Sequence, residues 1–581
     1  MGGAAMENSG IAVEYETDLL VFGSGAGGMA ASLFAAKRGL KVLLCEKTAQ
    51  LGGTTATSGG VIWVPGNSHA RKAGIRDTIE AARTYLRHEL GNYYREELTE
   101  AFLESAGPAI DDLEAGTSVV FDLSQSPDYH PDSPGGVDRG RSLSPRSYNG
   151  RELGADFDLV RPPMDRLMVA GGMMIGPEEI PAFVRPFSSF GNIRRVVSRV
   201  MRHALDRLRY RRGAQISSGN ALIARMLHGL RQYKADIWVN APLVELVRSG
   251  ERVEGAIVER DGRRIRVRAR LGVVLATGGF PHDPKLRNEL SAAFPHQYSM
   301  AFEGNTGDGQ RAARAVGADV DTDLRSPCLW TPSSLLRERC GRQVPIIYGY
   351  LDRGRPGVIA VDPAGKRFVN ESNSYHDVVS ALFERRAALG AGSDSTFYFI
   401  CDAAFVRKNG LGAIRPWPWS LSLSPFVRRG YISAAATVPE LARKIGMDPQ
   451  ALAETIQRHN RFAETGVDAD FGKGSTSFNR VWGDPNAGPN PNLTPIATAP
   501  FVALPILPAT LGTAIGLRTN GDAQVLNTVG DVIPGLYACG NELASAMRGF
   551  YPGGGITIGP AIVFAHRAVL KADRLATDAG H

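Results

Sequence analysis

The sequence predicts a Rossmann-like α/β protein into which an α+β domain is inserted. Three observations carry this. The apolar run Asp18 to Phe22 ends on the glycine string Gly23-Ser-Gly-Ala-Gly-Gly28 and is followed by an alanine-rich stretch and a second apolar run closed by Glu46. Short β-like runs return between Ala235 and Ala276, and Val532 to Lys571 again reads strand, glycine-rich turn, helix. Between these parts, 281–492 carries mixed helix and strand patterning. Residues 10–280 and 493–575 are therefore expected to form the first domain and 281–492 the inserted catalytic one. The proline-rich stretch Trp482 to Pro500 would be the crossing back.

Each element has a local reason. Residues 18–22 are uniformly apolar after Asp18, as a strand buried on both faces would be. Met29 to Arg38 is rich in alanine and favours helix, and Gly39 stops it. Lys41 to Cys45 is the second strand, which completes a βαβ start. Residues 76–115 carry charged helical patterning. From 122 to 186 the composition turns to Pro, Gly, Ser and Asp, which reads as long loops or a lid, and helical character returns over 192–233. Ala235 to Val239, Gly255 to Arg260, Arg264 to Ala269 and Gly272 to Ala276 are short strands feeding back into the first domain.

Composition excludes several classes. The chain has 67 glycines in 581 residues, against a usual share near 7 %, but 43 % hydrophobic and 22 % charged residues exclude a collagenous or disordered chain. A net charge of +7 is a weak field over this length. The basic tract Arg202 to Arg212 reads as a solvated helix face, so no nucleic-acid partner is expected. Five scattered cysteines without metal-ligand spacing imply a reducing, cytoplasmic setting and no metal, with contact at a membrane surface left open. The first ten residues lack the pattern of a leader. Leu19 to Ala36 is uncharged, but its glycines divide it into strand and helix, so no transmembrane segment is expected.

The glycine string carries the chemistry. Gly23 allows the turn, Gly25 lets a pyrophosphate approach the backbone, Gly28 lets helix pack on strand, and Gly27 and Ala26 open the helix whose N–H groups face the phosphates. Glu46 would bind a ribose, with Lys47 beside it. The polar loop that follows, Gly52, Gly53, Thr54, Thr55, Ser58, Gly59 and Gly60, suits a flavin and points to FAD rather than NAD. Leu243, Ala276, Thr277, Gly278 and Asp308 complete the expected cofactor set, together with a C-terminal group of Gly540, Asn541, Gly555, Thr557 and Ile558. A helix opening there would aim its positive end at the reduced flavin.

These clusters, in this order, resemble the FAD-dependent fumarate reductase and succinate dehydrogenase flavoprotein superfamily, and within it the 3-ketosteroid Δ1-dehydrogenases. The similarity runs from Asp18 to about Lys571. It includes Ser218-Gly-Asn-Ala-Leu222, Thr306-Gly-Asp-Gly309, Asn370-Glu-Ser372 with Tyr375, and Tyr551-Pro-Gly-Gly-Gly-Ile-Thr-Ile-Gly-Pro560. The resemblance implies non-covalent FAD, since residues 51–60 contain no histidine, and an apolar ketone substrate, foremost a steroid. It also implies site roles: Tyr375 as base, Tyr551 and the Gly555 N–H as holders of the carbonyl, and Tyr129 as the supporting tyrosine. Three positions depart from the pattern. His130 stands where a second tyrosine is usual, Gly554 where proline is, and Arg548 either brings a charge near the carbonyl or faces solvent.

The chemistry agrees with these roles. Desaturation beside a ketone removes an α proton and passes a β hydride to flavin, and donors on the carbonyl stabilise the developing enolate. A phenol of pKa about 10 needs help to act as a base. Three alternatives stand beside Δ1-dehydrogenation: a Δ4-(5α)-dehydrogenase, a fumarate-reductase-like enzyme reducing an activated C=C bond, and a non-catalytic FAD protein. The electron acceptor is not legible.

Overall fold

The computed structural model describes residues 13–579 apart from 165–166, 170, 177–178, 185, 293–297, 339, 349, 391 and 393–394. Residues 1–10, where no leader is expected, lie outside the described residues. The chain opens with β1 (Val13–Phe22), α1 (Ala26–Lys37) and β2 (Val42–Cys45). β1 and β2 are parallel, with Leu19 opposite Val42 and Phe22 opposite Cys45. This register sets their carboxyl ends level and holds the glycine string between them, the place where open α/β sheets bind ligands. Most of α1 is buried, as suits a core helix that is apolar all round.

Helices α2 (Gly53–Thr57), α3 (Ile79–Leu90), α4 (Glu96–Glu114), α5 (Phe190–Arg207) and α6 (Ser218–Gln232) follow. β3 (Asp236–Trp238) then joins β2 in parallel. β4 (Leu243–Ser249), β5 (Arg252–Arg260) and β6 (Arg263–Leu275) form an antiparallel return, and β6 pairs with β1 in parallel. The order is β3-β2-β1-β6-β5-β4. The two expected runs 264–269 and 272–276 are largely one strand, β6, with Gly272 at φ 134°; a Cβ there would lie 2.4 Å from the Gly535 carbonyl oxygen.

α7 (Asp308–Ala315) leads to a second sheet. Its main strands are β7 (Cys328–Arg337), β8 (Gln343–Ile347), β9 (Val358–Val361), β10 (Phe397–Asp402) and β11 (Phe501–Thr513) in the order β8-β7-β11-β10-β9, each pair antiparallel. β11 differs from the expected division at 493. It is the central strand of the second sheet, and the chain returns only after Thr513. Its prolines, Pro505 and Pro508, and the proline-rich stretch before it mask a central strand from pattern reading. β12 (Val532–Ala538) then pairs in parallel with β6, and the final helix, Ile558–Ala579, packs on α1 and α4. Each sheet has its own apolar core. Among the described residues no helix is long and apolar enough to cross a membrane, and no group of side chains has metal-ligand geometry.

Candidate active site

Phe22, Cys45 and Ala276, at the carboxyl ends of β1, β2 and β6, open into a cleft of about 440 Å³ that reaches the second sheet at Ile347. Every residue expected to hold the cofactor lines this cleft except Gly28 and Gly52. Those two act by packing: a Cβ on Gly28 would lie 1.8 Å from the Gly23 carbonyl oxygen, and one on Gly52 would lie 2.6 Å from the Ala56 methyl. Gly23 has φ 95°. Gly25 is the opposite case, since an added Cβ would find only Thr55 Oγ1, at 3.7 Å. The helix start therefore borders open space, and it has no acidic residue in its first turn. That is a cradle for a phosphate.

The walls of the cradle are tied together by side chains. Glu46 accepts from the Ser24 hydroxyl at 2.5 Å on one oxygen and from the Thr48 amide at 3.0 Å on the other. Thr55 Oγ1 accepts from the Ala26 amide at 3.1 Å, and Lys47 pairs with Asp308. These residues fit FAD: a phosphate cradle at α1, a carboxylate at the end of β2, and the hydroxyl-rich loop 53–60 on the floor.

At the far end three phenols meet. Tyr129 donates to the Tyr375 oxygen at 2.9 Å, and Tyr375 donates to the Tyr551 oxygen at 2.7 Å. Tyr129 and Tyr551 stack with ring centroids 5.4 Å apart, and Tyr375 stands edge-on to both. Burial pushes the Tyr375 phenol well above its usual pKa of 10, reinforced by the neighbouring phenols, and pushes Tyr551 up to about 12. Gly555, at φ 103°, presses on Ile62, where a Cβ would lie 2.5 Å from the carbonyl carbon. Among the described residues nothing accepts from its N–H. The same cleft is also lined by the apolar side chains of Met164, Met300, Phe302, Ile347, Trp482 and Leu511. Lys47 is the only lysine or arginine lining the cleft among the described residues.

Comparison with known proteins agrees with this geometry. The FAD binding domain family matches residues 18–558. The chain belongs to this flavoprotein family. It is 38 % identical over 569 residues to 4-oxocyclohex-2-ene-1-carboxylate 5-dehydrogenase of Sinomonas cyclohexanicum, covering 96 % of this chain and 94 % of that one. It is 33 % identical over 583 residues to 3-oxosteroid 1-dehydrogenase of Mycobacterium tuberculosis, covering 96 % and 98 %. The crystal structure of 3-ketosteroid delta1-dehydrogenase from Sterolibacterium denitrificans, in complex with 1,4-androstadiene-3,17-dione, superposes with a TM-score of 0.87 at 32 % identity over 96 % of this chain and all of that one.

The flavoprotein positions each tyrosine through groups that motif reading passes over. Tyr375 is the first residue of a helix, Tyr375–Ala388, capped by Ser374 and Asp377 in a reciprocal box. The preceding Glu371 is fully buried between Arg367 and Lys473; burial opposes its charge, but those cations outweigh it and hold its carboxyl at about 2. Tyr129 is held through its amide, which donates to the Pro552 carbonyl at 2.9 Å, and through Asp128, which accepts from Trp63 Nε1 at 2.8 Å and Arg141 at 2.7 Å. The Tyr129 loop and the Tyr551 loop are thereby stitched together. The buried polar positions 77, 128 and 141 lie far apart in sequence, so no local pattern announces them.

The structure accounts for the three departures from the family pattern. His130 turns away from the phenols and bridges Glu89 at 2.6 Å and Asp377 at 3.1 Å. Burial works against its charge, but the two carboxylates push it up to about 11. Tyr129, not His130, touches Tyr375. Arg548 neither reaches the carbonyl site nor faces solvent, contrary to both readings offered for it. It is buried and pairs with Asp321 at 2.7 Å, and the Arg325 amide donates to its carbonyl at 3.0 Å. At Gly554 an added Cβ would find Tyr129 Oη at 3.6 Å, so its lack of a side chain leaves room beside the phenols.

Proposed function

We propose that the flavoprotein desaturates a carbon pair adjacent to a ring ketone, with 1,2-dehydrogenation of 3-ketosteroids as its reaction. The observation that carries this reading is the three-phenol cluster in a cleft that apolar side chains also line. Tyr551 and the Gly555 N–H hold the ketone oxygen and stabilise the enolate that forms as the α proton leaves. In comparable sites one such donor is worth about 2.7–4 kcal/mol. Tyr375, as phenolate, takes the α proton, and Tyr129 donates to the phenolate oxygen. The α1 cradle, Glu46 and the 53–60 loop would hold FAD non-covalently, and the bound flavin would supply the two-electron oxidant for the β hydride. The α C–H electron pair becomes the new C=C bond, and the electron acceptor of the following half-reaction is a separate molecule. A cytoplasmic site of action accords with five cysteines that form no disulfide.

The relative from Sinomonas cyclohexanicum is named for a carboxylate substrate and favours a second reading, a smaller oxocyclohexane acid. The cleft weighs against it. Lys47, the only lysine or arginine among the described lining residues, is engaged by Asp308, so among the described residues none is placed to hold a substrate carboxylate. The same argument weighs against a dicarboxylate such as fumarate. The test is anaerobic addition of 3-ketosteroids, 4-oxocyclohexanecarboxylate and succinate to the yellow protein, followed by product analysis. Bleaching by a 3-ketosteroid with a new double bond at C1–C2 is expected. Faster bleaching by either acid, or a double bond at C4–C5, would overturn the reading.

A further inference from the structure

Glu542 is an acid that neither the cofactor cradle nor the phenol cluster uses. It closes the short turn Gly540–Glu542 and is fully buried. Gly540 and Asn541 line the cleft; the Glu542 side chain does not, and instead meets Thr277, which does. One carboxyl oxygen, Oε2, is hydrogen-bonded to the Thr277 hydroxyl and accepts from the Gly279 amide at 3.3 Å. The other, Oε1, has no hydrogen-bond partner among the described residues. It is pressed against the first turn of α7, where a Cβ on Gly309 would lie 2.9 Å from it.

No cation answers this carboxyl. Asp128, Asp321 and Glu371 are enclosed too, but each is paired with an arginine. Glu542 makes no ion pair among the described residues. The charged groups that act on it are Asp308 and Arg311 of α7, which are paired with each other at 2.7 Å. Asp308 also occupies the positive end of α7. Cys539 is a buried thiol pushed up to about 12 and stays neutral. Of the elements packed against the turn, α1 carries no charged residue before Lys37, the closing helix no titratable one before His566, and Gly516–Leu517 none. Burial therefore dominates and pushes the Glu542 carboxyl above its usual range. An enclosed carboxylate without a cation takes up a proton instead of keeping its charge.

We propose that Glu542 stands as a neutral acid in the folded protein and, through Thr277, sets the charge and the hydrogen-bond donor of the cofactor cleft wall. A neutral carboxyl can donate to Thr277 Oγ1, which also accepts from the Gly309 amide at 3.3 Å. The threonine hydrogen is then free for the cleft. An ionised carboxyl captures that hydrogen and places an uncompensated negative charge behind a site built for a pyrophosphate. The affinity for FAD then falls, and by reciprocity bound FAD holds the proton on Glu542 more tightly. Glu542 is in this sense a positioning residue of the cofactor site, since it acts through Thr277.

The experiment compares the FAD-loaded wild type with Glu542→Gln and Thr277→Val. An infrared difference spectrum of the wild type against Glu542→Gln at neutral pH should show the C=O stretch of a protonated carboxylic acid, lost in the variant. Thr277→Val keeps the acid and removes its partner, so it should move that band. FAD affinity, read from the fluorescence of released cofactor, should match in the wild type and Glu542→Gln at neutral pH. As the pH is raised through the titration of the acid, it should fall by about tenfold per pH unit in the wild type and stay level in Glu542→Gln. A glutamate that served only the fold would change stability and leave the pH profile of FAD release in place. The proposal is overturned if the protonated band is absent, if it is unmoved in Thr277→Val, or if the wild type and Glu542→Gln share one pH profile. Both measurements are made without turnover, so failure of the ketone reading leaves this result standing, and the converse holds.

Discussion

Tyr375 lies between two phenols, and its environment works against ionisation at rest. Burial holds its pKa well above the usual 10, so the reactive phenolate is scarce at neutral pH in the free protein. The rate constant kcat/KM reports the free enzyme, and it should rise with pH with unit slope and show no plateau below about pH 10. A plateau near neutrality in the wild type would contradict the assignment. Arg548 makes a different prediction. Its partner Asp321 is largely enclosed, and removal of one member of such a pair costs about 3–5 kcal/mol. Arg548→Ala should lower the unfolding free energy read from urea denaturation by that amount, whereas loss of a residue serving only the substrate would leave it unmoved.

At the scale of elements, the helix that begins at Tyr375 shows what motifs convey and what they hide. The string Asn370-Glu-Ser372 is legible as a signature, but its physical meaning is an anchor rather than a ligand. Asn370 donates to the Asn479 side chain at 2.9 Å, and Glu371 ties the segment to Arg367, Lys473 and the Ala360 amide. Glu371→Gln should destabilise the fold by about 3–5 kcal/mol in chemical denaturation. Its native pKa is depressed from 4.5 to about 2, so its contribution is present above pH 4.5 and fades as pH falls through 2. His130 has the opposite sign. Raised from 6.5 to about 11, its ion pairs contribute fully below pH 6.5 and are lost as pH rises through 11. Because the side chain is 36 % exposed, His130→Gln should cost about 1 kcal/mol at pH 6 and less at pH 10, read from denaturation at both values. No sequence pattern pairs position 130 with 89 and 377; only the folded chain brings them together. Helix α5 buries Arg199, His203 and Asp206. Its helical period is legible, but which side faces inward depends on Glu179 and Arg151, 20 and 55 residues before their partners Arg199 and Asp206.

For the whole molecule, the βαβ start, the return through residues 235–276 and the closing helix are legible because glycine spacing and uniformly apolar strands are local signals. The second sheet was far less so. Its central strand, Phe501–Thr513, carries two prolines and pairs with strands dozens to hundreds of residues away, which displaced the expected boundary. The site shows the same division: the cleft lining was readable from glycine and tyrosine motifs, whereas the buried ion pairs that aim the tyrosines were not. FAD held by backbone cradles and a non-histidine loop should leave entirely with the supernatant when the protein is precipitated in acid; colour retained in the pellet would show a covalent link. The central claim is that Tyr375 takes the α proton as hydride leaves the β carbon, and rapid anaerobic mixing with a 3-ketosteroid tests it most directly. The wild type should bleach, and Tyr375→Phe, with an unchanged visible spectrum and a folded state of equal stability, should bleach about 10²–10⁴-fold more slowly. Bleaching of that variant at the wild-type rate would contradict the account.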